Sequence, residues 1–267
     1  MQLCMYIIDA FTREQFGGNS AAVVVLDSPL SDALMQQIAS ENNLSETAFI
    51  IAHPSGDYAI RWFSPLMEID FCGHATLASA FVLFEYFQCH QTIRFTTQQV
   101  GDLTVWRHHD GCIEMRFPNL APTAAEAPPA LLAGLSRPPK QVLANAQAYF
   151  AIYDDEQDVI SLQSNSEQLK TLAPRDVVVS AKGSDCDFVS RYFWPANGGD
   201  EDPVTGSIHA GLTPYWAEQL GKTKFHAKQK SIRGGELFCS LDAEHVLVSG
   251  YAVLYAQSTL HIATAAS

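Results

Sequence analysis

Three short stretches of the chain gather side chains that can move protons. "DFCGH" (residues 70–74) sets Cys72 and His74 around Gly73, directly ahead of a run with hardly a polar group in it. "SET" (45–47) places Glu46 between a helix-like and a strand-like segment. "DEDPVTGSIH" (200–209) brings Asp200, Glu201 and Asp202 beside Thr205, Gly206, Ser207 and His209. Carboxylates next to imidazole and hydroxyl groups suit removal of a carbon-bound proton adjacent to a carboxylate, and its return elsewhere in the molecule. Helices starting near residues 73 and 205 would each expose unpaired amides and the positive end of a dipole. With Gly73 and Gly206 letting a ligand come close, two such ends facing across a cleft would clamp a carboxylate or a developing enolate.

Each of these residues also has a plainer reading. A glutamate before a strand is ordinarily a solvated surface group. Asp202 ahead of Pro203 fits a turn or a helix cap. His74 fits a hydrogen-bonded structural residue, and Cys72 a small buried hydrophobe. "HHDGC" (108–112) has the composition of a metal cluster, but Asp-Gly between strand-like runs is a hairpin turn, and no metal is expected there. "FGGNS" lacks the spacing of a dinucleotide or phosphate loop, so no cofactor is expected.

The elements that must hold these groups read clearly in the first half. "CMYIIDAF", "AAVVVLD", "TAFIIA" and "YAIRWFSP" are strand-like, and "SDALMQQIASENN" is helical with Ser31 as its cap. From Ala75 to Phe84 only Thr76 and Ser79 carry polar side-chain atoms. A helix apolar on every face is enclosed by other elements. A stretch rich in proline and alanine (117–140) marks a domain entry, after which the order repeats. "RWFSP" at Arg61 and "RYFWP" at Arg191 lie 191 − 61 = 130 residues apart. Laying "CGHATLASAFVLFEY" over "PVTGSIHAGLTPYWA" pairs His74 with Thr205 and Cys72 with Pro203. The expectation is an α+β protein of two pseudo-symmetric domains, 1–117 and 118–267, with the last strand free to return to the first. Each domain is a strongly curved, mixed or antiparallel sheet around one buried helix.

Composition narrows the partners. Hydrophobic residues make up 47% of the 267, enough for a sizeable core. A formal charge of −13 without a basic cluster gives no reason to bind nucleic acid or an anionic membrane. No apolar run reaches 18 residues, so no membrane span is expected. The start has no basic segment of a signal peptide, and the six scattered cysteines form no CxxC pair. Free thiols in a reducing cytoplasm are the expectation.

"GGNSAAVVVL", "NNLSETAFI", "RWFSPLMEIDFCGHATLASA", "DEDPVTGSIHAGL" and "SIRGGEL" together resemble the phenazine-biosynthesis PhzF-like proteins, which share the diaminopimelate epimerase fold. The resemblance covers nearly the whole chain. It implies a cofactor-independent isomerase, commonly a homodimer, with its site between two similar domains and a small anionic substrate. In the phenazine enzyme the reaction moves a proton within trans-2,3-dihydro-3-hydroxyanthranilate. The family's glutamate acid/base matches Glu46, and other active-site positions match His74, Asp202 and Ser207. Asn19, Cys72, Gly73, Thr205 and Gly206 complete the expected substrate-binding set. Ser20 stands where the family often has proline. Epimerases and racemases of this fold use a cysteine from each domain. Cys72 fills the first position, but Pro203 fills the second. Two alternatives stay open: an epimerase pairing Cys72 with a carboxylate, and a binding or scaffold protein without catalysis.

Overall fold

A computed structural model describes residues 1–263 apart from His90 and Ala243. The chain divides into two compact units, Met1–Arg116 joined by the segment from Gly250 on, and Phe117–Ser249.

In the first unit the strands are β1 (Gln2–Ala10), β2 (Asn19–Leu26), β3 (Glu46–Ala52), β4 (Tyr58–Phe63), β5 (Glu68–Ile69), β6 (Thr92–Thr96), β7 (Leu103–Arg107) and β8 (Ile113–Pro118). The helices are α1 (Asp32–Asn42) and α2 (Gly73–Tyr86). Pairing runs β1-β2-β3-β4-β6-β7-β8, antiparallel except for β2–β3 and β4–β6. The second unit holds β9 (Thr123–Ala124), β10 (Gln141–Ala144), β11 (Ala148–Ile152), β12 (Asp176–Lys182), β13 (Phe188–Trp194), β14 (Gly199–Asp202), β15 (Lys224–Gln229), β16 (Gly235–Leu241) and β17 (His245–Gly250). Its helices are α3 (Pro129–Gly134), α4 (Glu156–Ile160), α5 (Ser166–Leu169) and α6 (His209–Leu220). Here pairing runs β10-β11-β12-β13-β15-β16-β17, parallel only at β11–β12 and β13–β15. The two orders and their directions match strand for strand, so the repeat suggested by Arg61 and Arg191 extends to the whole topology. The match includes the outer strands: β18 (Ala252–His261) lies antiparallel on β1, as β9 lies on β10.

Why the central helices form is visible in their surroundings. α2 buries every residue from Gly73 to Ala80, and it touches β1, β2, β3, β7 and β18, strands from both ends of the order. A sheet that meets one helix from both ends must curl around it. The cost of dehydrating an apolar helix is offset only by such enclosure. In the second unit α6 packs its Trp216 ring flat on Phe188 of β13 and donates its indole N–H to Ser180 of β12 at 2.9 Å. Gly211 lets α6 approach β11: a Cβ there would lie 2.5 Å from the Phe150 ring. Pro214 lacks the N–H that would bond the Ala210 carbonyl, and Leu120 N–H takes that carbonyl instead at 3.0 Å. The other face of the first sheet is covered by α1, where Met35 and Ile38 pack with Phe49 and Phe63. The short helices α3, α4 and α5 cover the second sheet through Leu131, Val159 and Leu169.

The aromatic-arginine strands have matching roles. Arg61 grips Glu68 through two bonds of 2.7 Å, and Arg191 grips Glu201 through bonds of 2.8 and 2.9 Å. Each fork ties its strand, β4 or β13, to the short strand, β5 or β14, that leads to the central helix.

Candidate active site

The first cluster is built by three element starts in the first unit. β2 begins at Asn19, and β3 begins at Glu46, in parallel register with Ala21 opposite Glu46. The first turn of α2 carries His74, with Cys72 just ahead of it. Gly18 makes the entry into β2 possible: it sits at φ +62°, and a Cβ there would strike the Ala10 carbonyl oxygen at 2.1 Å.

These starts bring together four of the side chains singled out in the sequence. His74 Nε2 lies 3.0 Å from Glu46 Oε2, and His74 Nδ1 lies 3.1 Å from Asn19 Nδ2 and 3.4 Å from Cys72 Sγ. Glu46 is only 4% exposed, which excludes a solvated surface carboxylate. His74 and Cys72 are buried as well. Glu46 Oε2 accepts no hydrogen bond of good geometry among the described residues, although His74 Nε2 stands beside it as an ion-pair partner. The amides of Gly73 and His74 likewise precede the first intrahelical bond, Thr76 N–H to the Cys72 carbonyl.

The electrostatics separate the roles. Burial pushes the Cys72 thiol up to about 11, and the neighbouring Glu46 charge adds to the effect. Burial works to lower His74, but Cys72 and Glu46 outweigh it and hold the imidazole well above its usual range.

The second cluster lies in the second unit. Asp202 closes β14 and is buried, and Thr205 Oγ1 donates a short hydrogen bond to its Oδ2. Gln229, at the end of β15, accepts the Thr205 N–H at 2.9 Å and donates to the Asp202 carbonyl at 2.7 Å. Ser207 Oγ accepts from Gln147 Nε2 at 2.9 Å. The same Gln147 nitrogen reaches Tyr192 Oη at 3.3 Å, and Tyr192 donates to Asp176 at 2.7 Å.

Several expectations need correction here. α6 begins at His209, not near residue 205. Residues 206–208 form a tighter turn in which His209 and Ala210 bond back three residues, to Gly206 and Ser207. The Thr205 amide is already taken by Gln229, so only Gly206 and Ser207 offer amides without a partner among the described residues. Glu201 is committed to Arg191, and Asp200 is exposed. His209 is fully buried, donates from Nδ1 to the Thr205 carbonyl at 3.0 Å, and is pushed down to about 4 by burial. "HHDGC", by contrast, is the hairpin turn its Asp-Gly pair predicts, joining β7 to β8 and closed by His108 N–H to the Cys112 carbonyl.

Gln147, Tyr192, Asp176 and Gln229 escaped the sequence reading, yet one of them had a signal. Asp176 opens β12 opposite Ala148 in parallel register, just as Glu46 opens β3 opposite Ala21. Applying the 130-residue repeat offset to Glu46 lands on Asp176. Its carboxyl is raised by burial, against the pull of its Tyr192 and Asn197 hydrogen bonds.

A curled mixed sheet around a buried helix, built twice in one chain, defines the class: this is a protein of the diaminopimelate epimerase-like fold. A hydroxyproline epimerase from Agrobacterium vitis, solved with bound trans-4-hydroxy-L-proline, shares that fold at a TM-score of 0.62 and 11% identity, over 97% of this chain and 92% of its own. The phenazine biosynthesis-like protein (PhzC-PhzF) family model matches residues 8–258, and the chain belongs to that family. It is 44% identical to an uncharacterised isomerase of Pseudomonas aeruginosa over 98% of this chain and the whole of that one. A PhzF-family crystal structure from Enterococcus faecalis superposes with a TM-score of 0.94 at 42% identity, covering 98% of this chain and all of its own.

Proposed function

We propose that the protein is a cofactor-independent isomerase that moves a carbon-bound proton within a small, cyclic, carboxylate-bearing substrate, with Glu46 as the general acid and base. The observation that carries this reading is Glu46 Oε2, a buried carboxylate oxygen beside His74 with no hydrogen bond of its own among the described residues. A buried carboxylate oxygen that is not spent on a hydrogen bond is open to receive the proton of an incoming C–H. His74 supplies the compensating charge, Asn19 orients its ring, and the Gly73 and His74 amides hold the substrate anion. The family resemblance gives Asp202, Thr205, Gly206 and Ser207 substrate-handling roles, and these belong to the same proposal.

The relative's description as an isomerase supports the reaction class. An epimerase with Cys72 as a base is disfavoured, because a thiol pushed to about 11 holds its proton at neutral pH. All six cysteines are free thiols, in keeping with a cytoplasmic enzyme. A homodimer belongs to the same proposal. Among the described residues no helix is long and apolar enough to cross a membrane.

The test is a thermal-shift screen of cyclic and amino carboxylic acids, including trans-2,3-dihydro-3-hydroxyanthranilate, followed by incubation of each binder in deuterated water. A ligand at about 100 times its Kd adds roughly 2.7 kcal/mol of apparent stability. Enzyme-dependent uptake of one deuterium at carbon is expected. Binders that never exchange would favour the non-catalytic alternative.

A further inference from the structure

We infer that Asp176, Tyr192 and Gln147 form a hydrogen-bond relay that holds Ser207 as a donor to the substrate's anionic group, which makes all three positioning residues. The relay stands on the geometry of the second unit alone. What Ser207 serves rests on the function proposed above.

The chain of bonds has a polarity that starts at Asp176. Asn197 Nδ2 donates to its Oδ1 at 3.0 Å and Tyr192 Oη to its Oδ2 at 2.7 Å, so both carboxylate oxygens are acceptors. Tyr192 is buried, and that burial together with the Asp176 charge holds its phenol well above the usual range, so it keeps the proton it donates. With its one hydrogen spent on Asp176, Tyr192 Oη has only lone pairs left for Gln147. Gln147 therefore turns its NH2 group, not its carbonyl oxygen, to Tyr192 at 3.3 Å. The same nitrogen lies 2.9 Å from Ser207 Oγ, which accordingly accepts. A hydroxyl that accepts from its neighbour still has its own hydrogen to give. Ser207 gives it to no acceptor among the described residues.

The backbone closes the relay into a ring. The Asp176 N–H donates to the Gln147 carbonyl at 3.0 Å, and the Gln147 N–H is held by Asn145 Oδ1 at 2.9 Å. From Asp176 through Gln147 and Tyr192 back to Asp176, no member can turn over without breaking a bond of another. A serine free to turn offers an approaching oxygen a lone pair as readily as a hydrogen, and the relay removes that choice. The Ser207 hydroxyl then joins the Gly206 and Ser207 amides, which also lack a partner among the described residues, as three donors on two adjacent residues. Such a set suits an anion. Asp176 holds the strand position that Glu46 holds in the first unit, but the two differ in what they leave open. Glu46 keeps an unbonded oxygen, whereas both oxygens of Asp176 are engaged, so one is placed as a base and the other as a brace.

The experiment puts a titratable sulfur at the end of the relay. In Ser207→Cys a hydrogen bond donated by Gln147 favours the thiolate. Iodoacetamide labelling of the peptide containing position 207, followed against pH by mass spectrometry, gives the midpoint of that thiol without any substrate. Gln147→Met in this background should raise the midpoint by about one pH unit and slow labelling at pH 7 about 10-fold. Tyr192→Phe, which leaves Gln147 present but unpinned, should raise it by about half a unit. Tyr149→Phe, removing a phenol that contacts Arg175 outside the relay, should not move it. Asp176 and Asp202 are retained in all of these proteins, so the comparison isolates the hydrogen bonds. Circular dichroism identifies any variant that fails to fold; Gln147→Met and Tyr192→Phe break different links, so either one, folded, decides. A midpoint unchanged or lowered by Gln147→Met overturns the donor assignment, and one unchanged by Tyr192→Phe overturns the relay. With a turned-over substrate, Tyr192→Phe should raise KM more than it lowers kcat. Intact deuterium exchange in Glu46→Gln would refute the proposed catalysis and leave the relay standing. An unmoved midpoint, with exchange lost in Glu46→Gln, would do the reverse.

Discussion

The pairing of His74 with Glu46 makes a quantitative prediction about stability. His74→Gln keeps a polar side chain of similar reach but removes the charge beside a carboxylate that is 4% exposed. Breaking one side of a buried ion pair strands the other, at about 3–5 kcal/mol. Glu46→Gln on top of it removes the stranded charge, so the double variant should recover part of the loss. The expected coupling in the double-mutant cycle is about 1–3 kcal/mol. Urea unfolding gives all four stabilities, and unchanged m-values would show that the unfolded state is comparable. The pH dependence has a definite sign. His74 is raised well above 6.5 in the folded protein, so its contribution is complete below 6.5 and is lost as pH rises through the folded value. The gap between wild type and His74→Gln should therefore narrow in alkaline buffer. A cost below about 1 kcal/mol, additivity within about 0.5 kcal/mol, or a gap that widens with pH would refute the reasoning.

Other outcomes follow from the same structure. Cys72 and Cys239, buried and pushed up to about 11 and about 12, should be the slowest thiols to react with iodoacetamide, as read by peptide mass spectrometry. Early modification of Cys72 would contradict its environment. Arg191→Lys should cost about 2–3 kcal/mol and Arg61→Lys about 1 kcal/mol in urea melts, because Arg191 also donates to the Leu162 and Val159 carbonyls and is the more buried. His209 is depressed to about 4 from 6.5, so the unfolded chain binds the extra proton between these values and stability falls as pH falls through them. At about 1.4 kcal/mol per unit that amounts to about 3 kcal/mol, which His209→Gln should remove from the acid limb of the stability curve.

Much of the architecture was legible because it rests on patterns repeated over many residues. The apolar run after His74 announced an enclosed helix, and α2 is buried from Gly73 to Ala80. Arg61 and Arg191 announced a repeat, which the strand pairings extend across both units. Glu46, Cys72 and His74 were legible as chemistry, and the start of β3 beside the start of α2 brings them into contact. The second cluster was only half legible. Asp202 and Ser207 stood in a recognisable frame, but their positions depend on Gln229 and Gln147, amides whose side chains look ordinary in any sequence. The start of α6 was misplaced because glycine and serine before an apolar run suit a three-residue turn as well as a helix. Glu201 looked available until the Arg191 fork claimed it.

The central claim is that Glu46, not Cys72, carries the proton. Its most direct test is the rate of solvent deuterium uptake into a turned-over substrate by wild type, Glu46→Gln and Cys72→Ser, measured side by side by mass spectrometry. The account predicts loss of about 100-fold or more in Glu46→Gln, the scale of a general acid/base contribution, and a rate within about 10-fold of wild type in Cys72→Ser. Exchange that survives Glu46→Gln and disappears with Cys72→Ser would contradict it.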